Sequence, residues 1–197
     1  MSRVAELDAI VQSLDLNAHP FYQDWRAGTL PTAKLKVYAA EYGRFVGTIA
    51  AGWDTIGEAH YAEEEREHEV LWNDFKRDLG VSGTGSIAHT DVLVTAAERY
   101  FSVAPEAVGA LYAFEAQQPH TSKSKLDGLN EHYPLSDSGK KYFEVHAEDF
   151  AEVEDLKQYV AKMSDEEFAR AKTACHVVCA AMWSALDGVY YTQPAHA

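Results

Sequence analysis

The residues of this 197-residue chain best placed to do chemistry are carboxylates and imidazoles at helical spacing. Glu115 stands in Gly109-Ala110-Leu111-Tyr112-Ala113-Phe114-Glu115-Ala116, a segment otherwise so apolar that its helix must be mostly buried. An isolated carboxylate is very unfavourable in such a place, so Glu115 needs a partner or a metal ion. Glu64 and Glu65 precede His68 by four and three residues, and either can share a helix face with it. His60 lies eight before His68, on roughly the same side. His146 and Asp149 are three apart in Tyr142-Phe143-Glu144-Val145-His146-Ala147-Glu148-Asp149-Phe150 and converge in the same way. Two imidazoles with two or more carboxylates form a donor mixture that suits iron or manganese, with positions left open for dioxygen. The competing readings are structural: Glu63 to Glu67 as a solvated helix face, His146 as a satisfied core histidine, Glu115 bonded to a tyrosine or arginine inside the fold.

Helices must position these groups, and the apolar pattern supplies them. Val4, Leu7, Ile10, Val11 and Leu14 recur at helical spacing, and a short helix follows from Phe21 to Ala27, stopped by Gly28. Pro31 opens a long helix whose inner stripe is Leu35, Tyr38, Tyr42, Phe45 and Val46. A further helix is expected from Trp53 to Leu79, closed by Gly80 in the left-handed cap conformation. Thr90–Phe101, Pro105–Gln118, Ser136–Val160 and Ser164 to about Tyr191 read as four more, the last opening on the capping-box pair Ser164 and Glu167. No run alternates with the period of two that marks a strand. The expectation is an all-α bundle of about seven helices, a single domain over residues 1–197.

Composition narrows the function classes. Hydrophobic residues make up 47% and charged residues 24%, ordinary for a globular chain. The formal charge of -14, from 31 acidic against 17 basic residues, argues against nucleic acid as a partner. No window approaches the roughly 18 uninterrupted apolar residues that span a bilayer, and the N-terminus has no signal-peptide pattern, so a cytoplasmic protein without a membrane partner is expected. Cys175 and Cys179, four apart on one helix face, read as packing residues rather than a redox pair. No GxGxxG, Walker loop or GxSxG occurs. His19, His89, His132 and His196 sit near turns or the tail and look incidental.

Several segments together resemble a known family. His19-Pro20-Phe21-Tyr22-Gln23-Asp24-Trp25-Arg26-Ala27-Gly28-Thr29-Leu30 resembles the signature of TenA and PqqC relatives, which share the heme-oxygenase-like fold. Glu63-Glu64 through His68 to Leu71-Trp72-Asn73-Asp74-Phe75, then Ala110 to Glu115, Gln118-Pro119, Lys125 and Tyr142 to His146 are similar to the CADD-type branch in particular. That resemblance implies an oxygen-dependent metalloenzyme, an iron and/or manganese oxygenase holding one or two ions, with dioxygen as co-substrate. Its members convert one of their own tyrosines into para-aminobenzoate for folate synthesis. By the same resemblance Glu63 or Glu64, His68, Glu115 and His146 match metal ligands, Tyr22 the sacrificed tyrosine and Lys125 the amino donor, and a homodimer is implied.

Two departures from the family pattern stand out. Counting from His146, the positions of a carboxylate and a second histidine are occupied by Phe150 and Val153, which cannot ligate. Asp149 and Glu152 each fall one residue early, and such a slip turns a helical side chain by about a quarter turn. Asp149 is a candidate substitute. The segment between the family's Glu and His is also two residues shorter here, which leaves the ligand role open among Glu63, Glu64 and Glu65, with Glu64 preferred by helical geometry. If the site is degenerate, the alternative is a pocket for a small aromatic ligand or heme, made apolar by Phe150 and Val153. A cofactorless oxidase of the PqqC kind is a third reading. TenA-type thiamine hydrolysis is disfavoured, because His120 follows Pro119 where that group carries its nucleophilic cysteine.

Overall fold

The computed structural model describes residues 1–192, which form eleven α-helices and one short 3-10 turn. His196 lies outside the described residues. In chain order the helices are α1 (Arg3–Ser13), α2 (Pro20–Arg26), α3 (Thr32–Val46), α4 (Ile49–Ile56), α5 (Ala59–Asp78), α6 (Ala88–Phe101), α7 (Ala104–Glu115), α8 (Gln118–His132), α9 (Asp137–His146), α10 (Ala151–Lys162) and α11 (Asp165–Tyr191), with the 3-10 turn at Leu16–Ala18. Eight of them have eleven residues or more, against the about seven expected. No strand occurs among the described residues, so the all-α expectation holds.

Three places account for the difference in count. Gly57, at φ 87°, divides the expected Trp53–Leu79 helix into α4 and α5. Helix α8 was not expected at all: its buried positions are Gln118, Pro119, Thr121, Ser122, Lys125, Gly128 and Leu129, a helical stripe made mostly of polar and small residues. The expected Ser136–Val160 helix breaks between His146 and Ala151. There Asp149 Oδ1 accepts the Ala151 N–H at 3.1 Å. Elsewhere the end signals act as expected: Gly80 takes φ 69°, and Ser164 and Glu167 form a reciprocal capping box at the start of α11.

Helix α11 packs along α6 and α7, and α5 is flanked by α3, α4 and α9. The approach of α7 to α11 is close enough that a Cβ at Gly109 would lie 1.9 Å from the Ala171 carbonyl oxygen, so only glycine fits there. Cys175 and Cys179 are free and buried, as packing residues are. Helices α2, α3, α5 and α9 meet at an aromatic core in which Trp25, Tyr38, Trp72, Phe75, Tyr142 and Phe143 are almost wholly buried. No helix among the described residues is long and apolar enough to cross a membrane.

Candidate functional site

Five side chains with ligand chemistry converge in the core from four helices: Glu65 and His68 on α5, Glu115 on α7, His146 on α9 and Glu152 on α10. One donor atom from each of Glu65, His68 and His146 lies within 4.8 Å of the other two, and the same holds for Glu65, Glu115 and Glu152. Glu65 belongs to both groups. Glu65, Glu115, His146 and Glu152 are at most 3% exposed.

The orientation of the imidazoles follows from their hydrogen bonds. His146 Nδ1 lies 2.6 Å from the Tyr142 carbonyl oxygen. A carbonyl only accepts, so Nδ1 carries the hydrogen and Nε2 keeps its lone pair. That Nε2 is buried without a partner. His68 Nδ1 meets Glu65 Oε1 at 3.2 Å, and its ring centroid is 4.2 Å from that of His146. Tyr142, itself held by a 2.8 Å hydrogen bond from Gln118 Nε2, backs His146.

The carboxylates are left electrostatically incomplete. Both oxygens of Glu115, Glu65 Oε2 and Glu152 Oε1 are buried without a hydrogen bond of normal geometry, and the Trp53 indole N–H has none either. Burial first, then the charges of Glu152 and Glu65, pushes the Glu115 carboxyl far above the usual carboxylate range. Burial and then Glu65 raise Glu152 to about 8. Burial, then His68, drives His146 down to about 3. For His68 burial opposes protonation, but Glu65, Glu64 and Asp149 outweigh it and raise its pKa. Buried oxygens and an imidazole lone pair without partners, close to one another, are what a cation would complete, and the carboxylate–imidazole donor set fits a divalent metal ion.

The other expected pair also meets in the core. Lys125 on α8 is 2% exposed, and its Nζ sits 5.0 Å from the Tyr22 ring centroid and 5.4 Å from that of Phe143. Burial lowers the Lys125 ammonium to about 7 and raises the Tyr22 hydroxyl. Tyr22 and Tyr38 share a 2.9 Å hydrogen bond between hydroxyls, and Tyr38 stacks on Tyr42.

Not every expected residue joins the group. Glu63 and Glu64 are exposed, Glu63 paired with Arg66 at 3.2 Å, and the inward carboxylate is Glu65. Asp149 is half-buried in the break between α9 and α10, and Glu152 occupies the inner position instead. In an unbroken helix Glu152 would be turned about 240° from His146. The break resets the register. Phe150 does not line the site either: it is 46% exposed and rests on His120. His60 is also exposed. Clefts of about 470 Å³, lined by residues such as Asp8, Asp15 and His120, and of about 290 Å³ near Pro105 and Tyr159, are lined by none of these groups.

Residues 46–182 match a family of proteins described as iron-containing redox enzymes. The chain belongs to this family. The 4-aminobenzoate synthase of Nitrosomonas europaea is 27% identical over 222 residues, covering 94% of this chain and 89% of the relative. The enzyme of the same name from Chlamydia muridarum is also 27% identical, covering 99% of this chain and 92% of the relative. Among solved structures, a TenA homologue from Pseudomonas syringae superposes with a TM-score of 0.79 at 15% identity, covering 96% of this chain and 93% of that one. A TenA homologue from P. horikoshii gives 0.72 at 14%, covering 96% and 99%. At that identity the likeness concerns the fold, which is the heme-oxygenase-like one expected. An iron-containing redox family and a buried carboxylate–imidazole group together support a metal cofactor.

Sequence signals for the two displaced ligand candidates exist. Glu65 is three residues after buried Ala62 and seven before buried Trp72, on the inner stripe of α5. Glu152 is four before Leu156 and eight before Val160, on the inner stripe of α10 once α10 is a helix of its own.

Proposed function

We propose that this iron-containing redox family member makes 4-aminobenzoate from its own Tyr22, with Lys125 as the source of the nitrogen and dioxygen as the oxidant. The observation that carries the reading is the meeting, in one dry core, of the Tyr22–Lys125 contact and the five-residue ligand group. The names of the Nitrosomonas and Chlamydia relatives point to the same product.

Glu65, His68, Glu115, His146 and Glu152 would hold one or two ions, iron and/or manganese, the carboxylates supplying hard donors and the imidazoles borderline ones. Metal bound there would supply the redox chemistry that dioxygen needs. The protein's own part is positional. Burial keeps a large fraction of Lys125 as the neutral amine near neutral pH, with a lone pair available beside the Tyr22 ring. Tyr38 fixes the Tyr22 hydroxyl, and the walls of Trp25, Phe21 and Phe143 exclude water from the ring. The product would serve folate synthesis. A cytoplasmic homodimer is the working assembly in this reading, resting on family resemblance.

The test is rescue of a 4-aminobenzoate auxotroph, with elemental analysis of protein purified without chelators from cells supplied with both metals. The parent chain restores growth and carries iron or manganese; Tyr22→Phe folds, binds metal and does not rescue. A Tyr22→Phe protein that rescues as well as the parent would sink the self-sacrifice reading.

A further inference from the structure

We propose that Glu64 and Asp149, flanking the outer edge of His68, form the port through which a divalent cation enters the buried ligand group. The proposal rests on the metal reading above and adds a function to two residues that stand outside the group itself.

Burial defines where the port must be. Of the five converging side chains only His68 reaches solvent appreciably, with 15% of its side chain exposed. Glu65, Glu115, His146 and Glu152 are sealed, so an ion travelling between water and their unpartnered atoms passes His68. Glu64 lies one turn before His68 on α5 and is exposed. Asp149 comes from the break that follows α9, the helix packed on α5, and is half-buried. Both lie near enough to act electrostatically on His68 at the mouth and on Glu152 behind it.

Three of the neighbouring acids are already matched. Glu63 pairs with Arg66 at 3.2 Å, Glu144 with Lys141 at 3.3 Å and Glu154 with Lys157 at 2.6 Å. Among the described residues neither Glu64 nor Asp149 lies within ion-pair distance of a cation. Two carboxylates without a cation partner beside the one partly exposed member of the group focus the field onto that edge and raise the local cation concentration. Behind them, Glu65 Oε2, Glu152 Oε1, both Glu115 oxygens and His146 Nε2 wait without partners.

The experiment is the rate at which chelator-stripped, full-length protein takes up Mn²⁺, followed by loss of the free-ion EPR signal, in the parent, Glu64→Gln/Asp149→Asn and Glu63→Gln. At low ionic strength the double variant should load about tenfold more slowly, and the difference should shrink to about twofold or less near 0.5 M salt, where exposed charges are screened. Final stoichiometry and the visible spectrum of the Co²⁺-loaded form should stay as in the parent. Glu63→Gln, which removes one negative charge against the double variant's two, at a residue held by Arg66, should load within about twofold of the parent. Equal loading rates for the double variant and the parent overturn the port, as does equal slowing by Glu63→Gln. A lost ion or a changed Co²⁺ spectrum in the double variant also overturns it, making these residues ligands instead. Failure of the metal reading is separately visible, since the parent then takes up no ion and the port falls with it.

Discussion

The two ends of this core are built on opposite electrostatic plans. Where α5, α7, α9 and α10 meet, three carboxylates and one imidazole are buried and a second imidazole, His68, is partly buried, with oxygens and a nitrogen left unpartnered. Where α2, α3 and α8 meet, Tyr22 and Tyr38 satisfy each other through their hydroxyls, and burial drives Lys125 toward its neutral amine. The first end is costly to fold empty, because each unpaired buried polar atom carries a desolvation penalty of about 1–3 kcal/mol. At the second end the atoms without partners belong to neutral groups, the Trp25 indole N–H and the Ser122 hydroxyl. A protein holds an incomplete end of this kind where a ligand supplies the missing charge, and a neutral, aromatic end where reacting groups must stay out of water.

The largest effects should separate the two ends by product and by metal. Lys125→Met keeps the length and apolar stem of the side chain, so the fold and the metal content should match the parent. 4-Aminobenzoate in the culture should nevertheless drop to the level of a strain without the protein. Glu115→Gln should lower both readings, with metal affinity down by about tenfold or more, as ligand-sphere changes commonly do. Lys125→Met protein with reduced metal content would break the division between the ends.

Stability should move in opposite directions. Without metal, Glu115 and Glu152 have pKa values raised above their unfolded ones, Glu152 to about 8. A raised acid contributes stability that is full below the unfolded value of about 4.5 and lost as pH rises through the folded value. The gap in melting temperature between metal-free Glu152→Gln and the metal-free parent should therefore open in favour of the variant as pH rises from 6 to 8. It should reach several degrees, given roughly 2–4 °C per kcal/mol for a chain of this size. Saturating metal should reverse the order, since the parent gains binding energy that the variant loses. Melting curves at pH 6, 7 and 8, with and without Mn²⁺, check the sign; a gap that narrows with pH contradicts the raised carboxyls.

What the sequence discloses about each end differs for a physical reason. Glu115 is legible because ten successive residues of α7, Glu106 to Glu115, are buried, so an acid in an apolar run announces itself. His68 and His146 are legible by spacing alone. Glu64 seemed the better partner of His68 because four residues is a helical neighbour, yet Trp72 and Phe75 set the inner face and select Glu65. The α9–α10 break is hidden, since neither Gly nor Pro marks residues 147–150 and the apolar pattern continues through Val153 and Leu156. Helix α8 was missed because its buried stripe is polar, and it carries Lys125. Polar buried stripes escape hydrophobic periodicity, and here that is where Lys125, the proposed amino donor, sits.

The smallest expected effect probes whether the ends are independent. Tyr22→Phe removes one hydrogen bond and leaves the Tyr38 hydroxyl unpartnered in the core, a net cost of about 0.5–1.5 kcal/mol. The melting temperature should fall by roughly 2–4 °C, the change expected for about 1 kcal/mol in a chain of this length. Metal affinity should not move, because Tyr22 meets the ligand group only through intervening side chains, among them Tyr38, Tyr42, Trp72 and Tyr142. That stack is continuous, with ring centroids 4.8–6.1 Å apart. Titration of metal-free Tyr22→Phe with Mn²⁺ decides the matter: an affinity shifted by more than about threefold, roughly 0.7 kcal/mol, means that the stack transmits the loss to His146 and that the two ends form one coupled unit.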